Sequence, residues 1–479
     1  MEDLKQQTVK SVVWSAVERF GYQGIQFIIT IIMARLLLPE EFGLIAMLSI
    51  FIAIAQTFVD SGFGSALIQK QDRTETDYST AFYFNFGVSV FVYLILFLAA
   101  PSIAAFYKEP QLVDVTRVIT LSIVLNSFGL VQRAKLSIEL DFKTLAVAST
   151  VGVFFGGLLG VWLAYTGFGV WSLVAQNLMS NLLCNLLLWI LSRWHPMLVF
   201  SKDSIKMLFS FGSKLLASSL LHTIYVNLYT LVIGKVYSKN AVGNYYQANN
   251  LATFSSNNIS AVIVRAIYPI QCTMQDDDEK LKYYFSKYLK ISCFVVFPIA
   301  VGLCALADPL VRVVLNDQWI PAIPYIQILC IAYMWNPVMM MNSSILNVKG
   351  RTDLYLKAEI IKKVVAILIL VASIPFGITV MCWGLILYSF ADMFIITLYT
   401  NKLMKLNLPD QLRDILPIIL LNTVMGLLAF GSTYLFTNPL LKLLVGMVAG
   451  VGFFFAASSL GKFEEFRFLV DLIRKKLKK

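Results

Sequence analysis

The residues with chemistry to offer lie at helical spacing inside apolar runs. Arg19, Gln23, Gln26 and Thr30 share one face of the first run, with Glu18 alongside, because residues three and four apart stack on one side of a helix. The second run carries Ser49, Gln56 and Asp60. The seventh carries Lys214, Ser218, His222, Tyr225 and Tyr229 on one stripe, with Asn227 nearby. The eighth carries Asn250, Asn257, Asn258 and Arg265. This is recognition chemistry rather than bond-breaking chemistry. Amides and hydroxyls exchange hydrogen bonds with a hydroxyl-rich molecule. Arg19, Lys214, His222 and Arg265 suit an anion, arginine above all because its forked donors match two oxygens at once. Glu18, Asp60 and Asp392, the last reading as an isolated acid in the twelfth run, are the carboxylates that could couple movement to an ion.

Each of these residues also has a plainer reading. Glu18 and Arg19 can neutralise each other, Lys214 can snorkel from a helix end, His222 can be a hydrogen-bonded interior histidine, and Asp60 can cap local backbone. No nucleophile–base pair, glycine-rich phosphate loop or metal-ligand spacing accompanies them. The expectation is therefore no enzyme, no cofactor and no metal. With no CxxC pair and only two histidines, the six cysteines read as small buried hydrophobes rather than a zinc site or disulfide framework.

The elements that position these residues follow from composition. Of 479 residues, 58% are hydrophobic and 14% charged, and mean hydropathy is +0.73; a soluble domain carries about a quarter charged residues. These figures exclude a soluble enzyme, a disordered chain and a secreted disulfide scaffold. A membrane-crossing helix needs about 20 apolar residues, and about 14 such stretches are present. They run over 11–34, 42–65, 80–106, 113–132, 144–166, 169–192, 208–234, 242–270, 287–311, 321–346, 355–376, 378–400, 413–435 and 438–460. The expected fold is an all-α polytopic membrane protein. A barrel would show short alternating segments instead.

With the N-terminus inside, roughly 30 of the 39 Lys and Arg residues fall on the cytoplasmic side, which sets both termini in the cytoplasm. This distribution absorbs the net charge of +11 and argues against nucleic acid. The tail residues Arg474, Lys475, Lys476, Lys478 and Lys479 read as a topology anchor on anionic lipid. The polar, mixed-charge start does not read as a cleavable signal peptide. The connections are too short to hold a catalytic domain outside the membrane.

The chain also looks duplicated. Residues 34–43 (ARLLLPEEFG) and 233–243 (IGKVYSKNAVG) both close a long helix, turn tightly and open the next helix, and a polar loop follows each second helix. Two six-helix lobes plus two extra helices account for the expected spans: an N-lobe over 1–200, a C-lobe over 201–408, and two further helices with a basic tail over 409–479. Polar stripes at the start of each half predict a central water-filled cavity lined by both lobes. Gly21 and Gly24 hint at close helix packing at most.

The runs ARLLLPEEFGLIA (34–46), DSGFGSALIQK (60–70), VQRAKLSIELDFKTLA (131–146), FSFGSKLLASSLL (209–221), IGKVYSKNAVGNYYQA (233–248), NDQWIPAIPYIQIL (316–329) and NVKGRTDLYLKAEIIKK (347–363) together resemble the polysaccharide transport family of flippases. This Wzx-type family belongs to the multidrug/oligosaccharidyl-lipid/polysaccharide exporter superfamily. The match looks best to the branch that includes colanic-acid and teichuronic-acid exporters. The resemblance implies two lobes around a V-shaped cavity. It implies movement of an undecaprenyl-diphosphate-linked oligosaccharide from the inner to the outer leaflet of a bacterial inner membrane, for surface polysaccharide or lipopolysaccharide biosynthesis. Glycosyltransferase or polymerase partners would be in keeping with it. Arg19, Lys214 and Arg265 are the positions carried across as the cationic lining. The chain departs from the pattern where Leu228 follows Asn227, since many relatives have an acid there. Three other readings compete: a cation-coupled multidrug antiporter of the same superfamily, an integral-membrane polymerase or ligase, and a non-transporting assembly partner. An antiporter favours an acidic cavity, and a polymerase needs a large outer loop.

Overall fold

The computed structural model describes residue 14 and residues 21–60, 63–70 and 72–477, and all regular structure among them is helical. Residues 21–36 form α1. There follow α2 (Pro39–Asp60), α3 (Phe63–Gln69), α4 (Glu75–Tyr107), α5 (Leu112–Ile119), α6 (Leu121–Ser127), α7 (Leu130–Ile138), α8 (Phe142–Tyr165), α9 (Val170–Ser192), α10 (Lys202–Val236) and α11 (Lys239–Cys272). Then come α12 (Asp278–Ala305), α13 (Ala307–Leu310), α14 (Ile323–Tyr333), α15 (Asn336–Val348), α16 (Thr352–Ser373), α17 (Ile378–Met404), α18 (Leu408–Ser432), α19 (Pro439–Leu460) and α20 (Glu464–Leu477).

Ten helical segments among the described residues are long and apolar enough to cross a membrane, which makes the chain a multi-pass membrane protein. The expected spans 11–34, 208–234, 242–270 and 355–376 are not among the ten. The first is only partly described. The next two lie within the long helices α10 and α11. The fourth lies on α16, which carries Lys357, Glu359, Lys362 and Lys363.

Local sequence sets the helix ends. Thr74 and Asp77 form a capping box at the start of α4, and Lys70 adds an ion pair to Asp77 at 2.7 Å. Asp141, Asp277 and Asn407 accept backbone N–H groups at the starts of α8, α12 and α18. Lys108, Arg193 and Lys405 close α4, α9 and α17 in the left-handed conformation. A cation there meets the negative end of the helix dipole.

The chain divides into two compact units, Met1–Gly243 and Asn244–Lys479. In the first, α10 packs against α2, α3 and α4, although sequence symmetry groups it with the later helices. The tightest helix pair is α8 with α9. Gly152, Gly156 and Gly160 recur every fourth residue on α8. A methyl at Gly152 would sit 2.7 Å from the Ser180 carbonyl, and one at Gly160 2.7 Å from the Gln176 Cβ. Small residues at this spacing let membrane helices approach to backbone contact. Gly21 and Gly24 do not play this part: a methyl at Gly21 would come no nearer than 3.9 Å to Thr150, and Gly24 faces open space. Where α1 meets α8 the close approach is at Gly157, under Ile29.

The repeated turn has a structural counterpart in the first unit. Gly43 opens α2 and Gly243 lies in the first turn of α11, 200 residues later. A Cβ on Gly43 would overlap the Lys239 carbonyl, and one on Gly243 would overlap the Pro39 carbonyl. The two first turns therefore cross at backbone contact in a reciprocal way. Lys239 pairs with Glu40 (3.4 Å) and Glu109 (3.5 Å) beside this crossing.

The second unit has its core among α12, α15, α17 and α18, where Phe285, Phe297, Trp335, Met341 and Ile415 are buried. Asn342 and Gln411 exchange two side-chain hydrogen bonds, at 2.8 and 3.1 Å, inside this core. The amphipathic α20 lays Phe466 and Leu469 against it.

Candidate functional site

In the first unit α2 and α10 meet through polar side chains. Ser49 donates to Asn227 Oδ1 at 3.3 Å, and the Thr57 and Thr223 hydroxyls lie 3.1 Å apart. Asn227 also donates to the Thr223 carbonyl one turn earlier on α10, at 2.9 Å, so both ends of its amide are already engaged. Gln56 donates to Asp60 at 3.1 Å and accepts from Asn126 at 3.4 Å. Gln23 and Gln26 are half-buried on α1, and His222 is exposed on α10. Glu18 and Arg19 lie outside the described residues. Lys214 and Ser218 are on α10, and their side chains are not described.

Two polar features of this unit carry no signal in the stripes identified from sequence. The first is Arg133 on α7, placed by sequence reasoning just past a span end but set within the apolar segment Leu112–Ile138. It donates to Asn185 Oδ1 at 3.3 Å and lies 3.7 Å from Cys184 Sγ. The second is a ladder of asparagines on α9. Asn185 Nδ2 donates to the Asn181 carbonyl at 2.8 Å, and Asn181 Nδ2 donates to Asn177 Oδ1 at 3.1 Å. The signal was there to be read: asparagines at 177, 181 and 185 repeat every four residues within an apolar run.

In the second unit part of the α11 stripe is occupied by packing. Ser256 donates to the Tyr333 carbonyl at 2.5 Å, and Tyr333 donates to Asn249 at 2.8 Å. Asn336 donates to Asn257 and to Ser256. Arg265 is exposed and makes no ion pair among the described residues. The side chain of Asn258 is not described.

Asp392 is not the isolated acid that the sequence suggests. Lys362, one helix earlier on α16, sits 3.1 Å from it and also pairs with Glu359. Tyr388 donates to the other Asp392 oxygen at 3.2 Å. Lys363 reaches Glu359 at 3.8 Å. Lys362 and Asp392 side chains are only 6% and 10% exposed, so this is a buried ion-pair network between α16 and α17. Glu359 and Lys362 lie in the run AEIIKK, read at the sequence level only as part of a resemblance. Outside the spans, Arg351 grips Asp353 with two bonds of 2.9 Å. That hydrogen bonding holds the Asp353 carboxyl at about 2, well below its ordinary value.

No group of three metal-ligating side chains occurs among the described residues, and all six cysteines are free. The first unit offers hydrogen-bond donors and acceptors beside Arg133, and the second offers the exposed Arg265 and a neutralised buried pair.

Comparison with known proteins agrees with this inventory. The model of the polysaccharide biosynthesis protein family Polysacc_synt_3 matches residues 32–324. The teichuronic acid biosynthesis protein TuaB of Bacillus subtilis (strain 168) is 27% identical over 90% of this chain and 90% of its own length. The lipopolysaccharide biosynthesis protein WzxC of Escherichia coli (strain K12) is 27% identical over 75% of this chain and 73% of its own. The succinoglycan biosynthesis transport protein ExoT of Rhizobium meliloti (strain 1021) is 29% identical over 67% and 65%. In fold, the chain is similar to the lipid II flippase MurJ in an inward closed conformation. That match has a TM-score of 0.73 and 14% identity, over 96% of this chain and 100% of the other. It is also similar to an inward-facing multidrug resistance MATE transporter, with a TM-score of 0.62 and 17% identity over 82% and 98%.

Proposed function

This chain belongs to the polysaccharide biosynthesis protein family, and from that premise we propose that it is a flippase for lipid-linked glycan. Its substrate is an undecaprenyl-diphosphate-linked oligosaccharide, carried from the inner to the outer leaflet of a bacterial inner membrane for surface polysaccharide. The observation that carries the reading is the family match across residues 32–324. The residue chemistry is in keeping with it: amides and hydroxyls for sugar, and arginines for phosphate.

Transport runs by alternating access through a cationic cavity. Arg19, Lys214 and Arg265 contribute the charge, and Gln23, Gln26, His222, Asn227 and Asn258 contribute hydrogen bonds. The lipid tail stays in the bilayer. Both termini lie in the cytoplasm. Of the three ion-coupling candidates, Asp60 is the one best supported, because the residue is exposed and its carboxylate bonds, among the described residues, to a neutral glutamine. Titrating Asp392 would instead break a buried ion pair. Glu18 lies outside the described residues. Glycosyltransferases or a polymerase are the partners such a step calls for, on either side of the membrane.

Charge substitution tests the reading. Arg19→Ala and Arg265→Ala are each expected to cut surface-polysaccharide export sharply, with unchanged amounts of protein in the membrane. A charged hydrogen bond is worth about 1.5–3 kcal/mol, enough for a tenfold loss or more. Export at the normal level in both variants would remove the cationic cavity from the account.

A further inference from the structure

We propose that Arg133 and the α9 ladder Asn185, Asn181 and Asn177 form a subsite for a phosphate-linked glycan, with Arg133 taking the phosphate and the asparagine amides the sugar hydroxyls. The proposal rests on the flippase reading above and says where in the first unit the head group is held.

Arg133 has spare capacity. A guanidinium carries five N–H donors. Its bonds among the described residues come from Nη2 alone, to Asn185 Oδ1 and the Cys184 sulfur. Neither partner carries a negative charge, and no carboxylate pairs with Arg133 among the described residues. Arg133 is half-buried, and a guanidinium with open donors there is a place for an anion. A phosphate oxygen pair completes it in the geometry that arginine prefers.

The ladder leads away from that charge. Asn185 is buried (4% exposed), Asn181 is half-buried and Asn177 is exposed. At 1.5 Å per residue the eight-residue interval covers about 12 Å along the helix. Asn181 spends its amide N–H on Asn177, at 2.9 Å to the carbonyl and 3.1 Å to Oδ1. Asn181 Oδ1 and Asn177 Nδ2 have no bond among the described residues, leaving an acceptor and a donor for hydroxyls. The adjacent stripe of the same helix, Leu182, Leu186 and Ile190, is apolar and 38%, 49% and 68% exposed. That is the face suited to lipid. The asparagine face is suited to water and to a polar passenger.

The test uses the full chain in lipid nanodiscs. It measures binding of undecaprenyl diphosphate and of undecaprenyl diphosphate carrying one hexose. Arg133→Ala is expected to weaken both at least tenfold (about 1.4 kcal/mol), and Arg133→Lys to recover part of the loss. Asn181→Ala, whose side-chain bonds stay within its own helix, is expected to weaken only the sugar-bearing lipid, with an unchanged unfolding temperature. Should Arg133→Ala fail to fold, Arg133→Lys and Asn181→Ala carry the test. Wild-type binding of both lipids that survives these substitutions overturns the subsite and leaves the flippase reading intact. Inorganic diphosphate that displaces the lipids at equal affinity would also overturn it, in favour of a free-anion site. A wild-type chain that binds neither lipid overturns the flippase reading itself.

Discussion

Lys362→Met is expected to unfold the second unit in detergent, while Lys362→Met combined with Asp392→Leu recovers most of the loss. The single change removes the ammonium that lies 3.1 Å from Asp392 and pairs with Glu359. Asp392 is then left buried on α17 with the Tyr388 hydroxyl as its remaining partner among the described residues. Breaking a buried pair from one side costs about 3–5 kcal/mol, whereas replacing both partners with apolar residues is often neutral or better. Glu359 keeps Lys363 at 3.8 Å in either case, so the double variant leaves no acid wholly unpaired. Thermal unfolding of the purified protein reads the difference. A single variant as stable as wild type would mean that the pair contributes little to the fold. Export by the double variant then separates two roles. Folded protein that still exports makes the pair structural; folded protein that does not export returns Asp392 to the ion-coupling candidates.

The second large effect is expected at the crossing of the repeated turns. Gly43→Ala and Gly243→Ala should each lower the unfolding temperature by several degrees, because no methyl fits at either position. At Gly43 the added carbon overlaps the Lys239 carbonyl and lies 3.2 Å from the Gly243 nitrogen. At Gly243 it overlaps the Pro39 carbonyl and lies 3.1 Å from the Gly43 nitrogen. The obstacles are backbone atoms on both sides, so no side chain can swing away. Overpacking of this kind costs about 1–3 kcal/mol. The control has the opposite sign. Gly24→Ala and Gly87→Ala sit in helices with nothing within 4 Å, and alanine there should stabilise by about 0.5–1 kcal/mol through lower chain entropy. Equal responses at all four positions would show that the close crossing is absent.

The class of fold was legible because it depends on bulk properties. Apolar runs, charge asymmetry and the prolines and glycines of the repeated turns survive without knowledge of contacts. Gly43 and Gly243 were visible as equivalents, though their mutual contact was not. What sequence reasoning missed lies where significance depends on a neighbour from another helix. Asp392 read as isolated because its partner Lys362 is thirty residues earlier and faces it only once α16 and α17 pack. Arg133 fell one residue past the expected span 113–132, because a span end shifted by a residue or two moves a side chain from apolar segment to connection. Asn227 read as free to bind, yet Ser49 and Thr223 already engage it. The α9 ladder, by contrast, was present in plain periodicity. Its helix carries no charged residue, so nothing in the charge distribution marks it.

The central claim is that this chain carries a lipid-linked glycan across the membrane. Deleting it in its native host and extracting undecaprenyl-diphosphate-linked glycans from each leaflet tests that claim most directly. The account predicts accumulation on the inner leaflet together with loss of a surface polysaccharide, and the mass of the accumulated lipid names the sugar. Unchanged surface glycan with no accumulated intermediate would contradict the account. It would point to the cation-coupled multidrug antiporter that shares this fold.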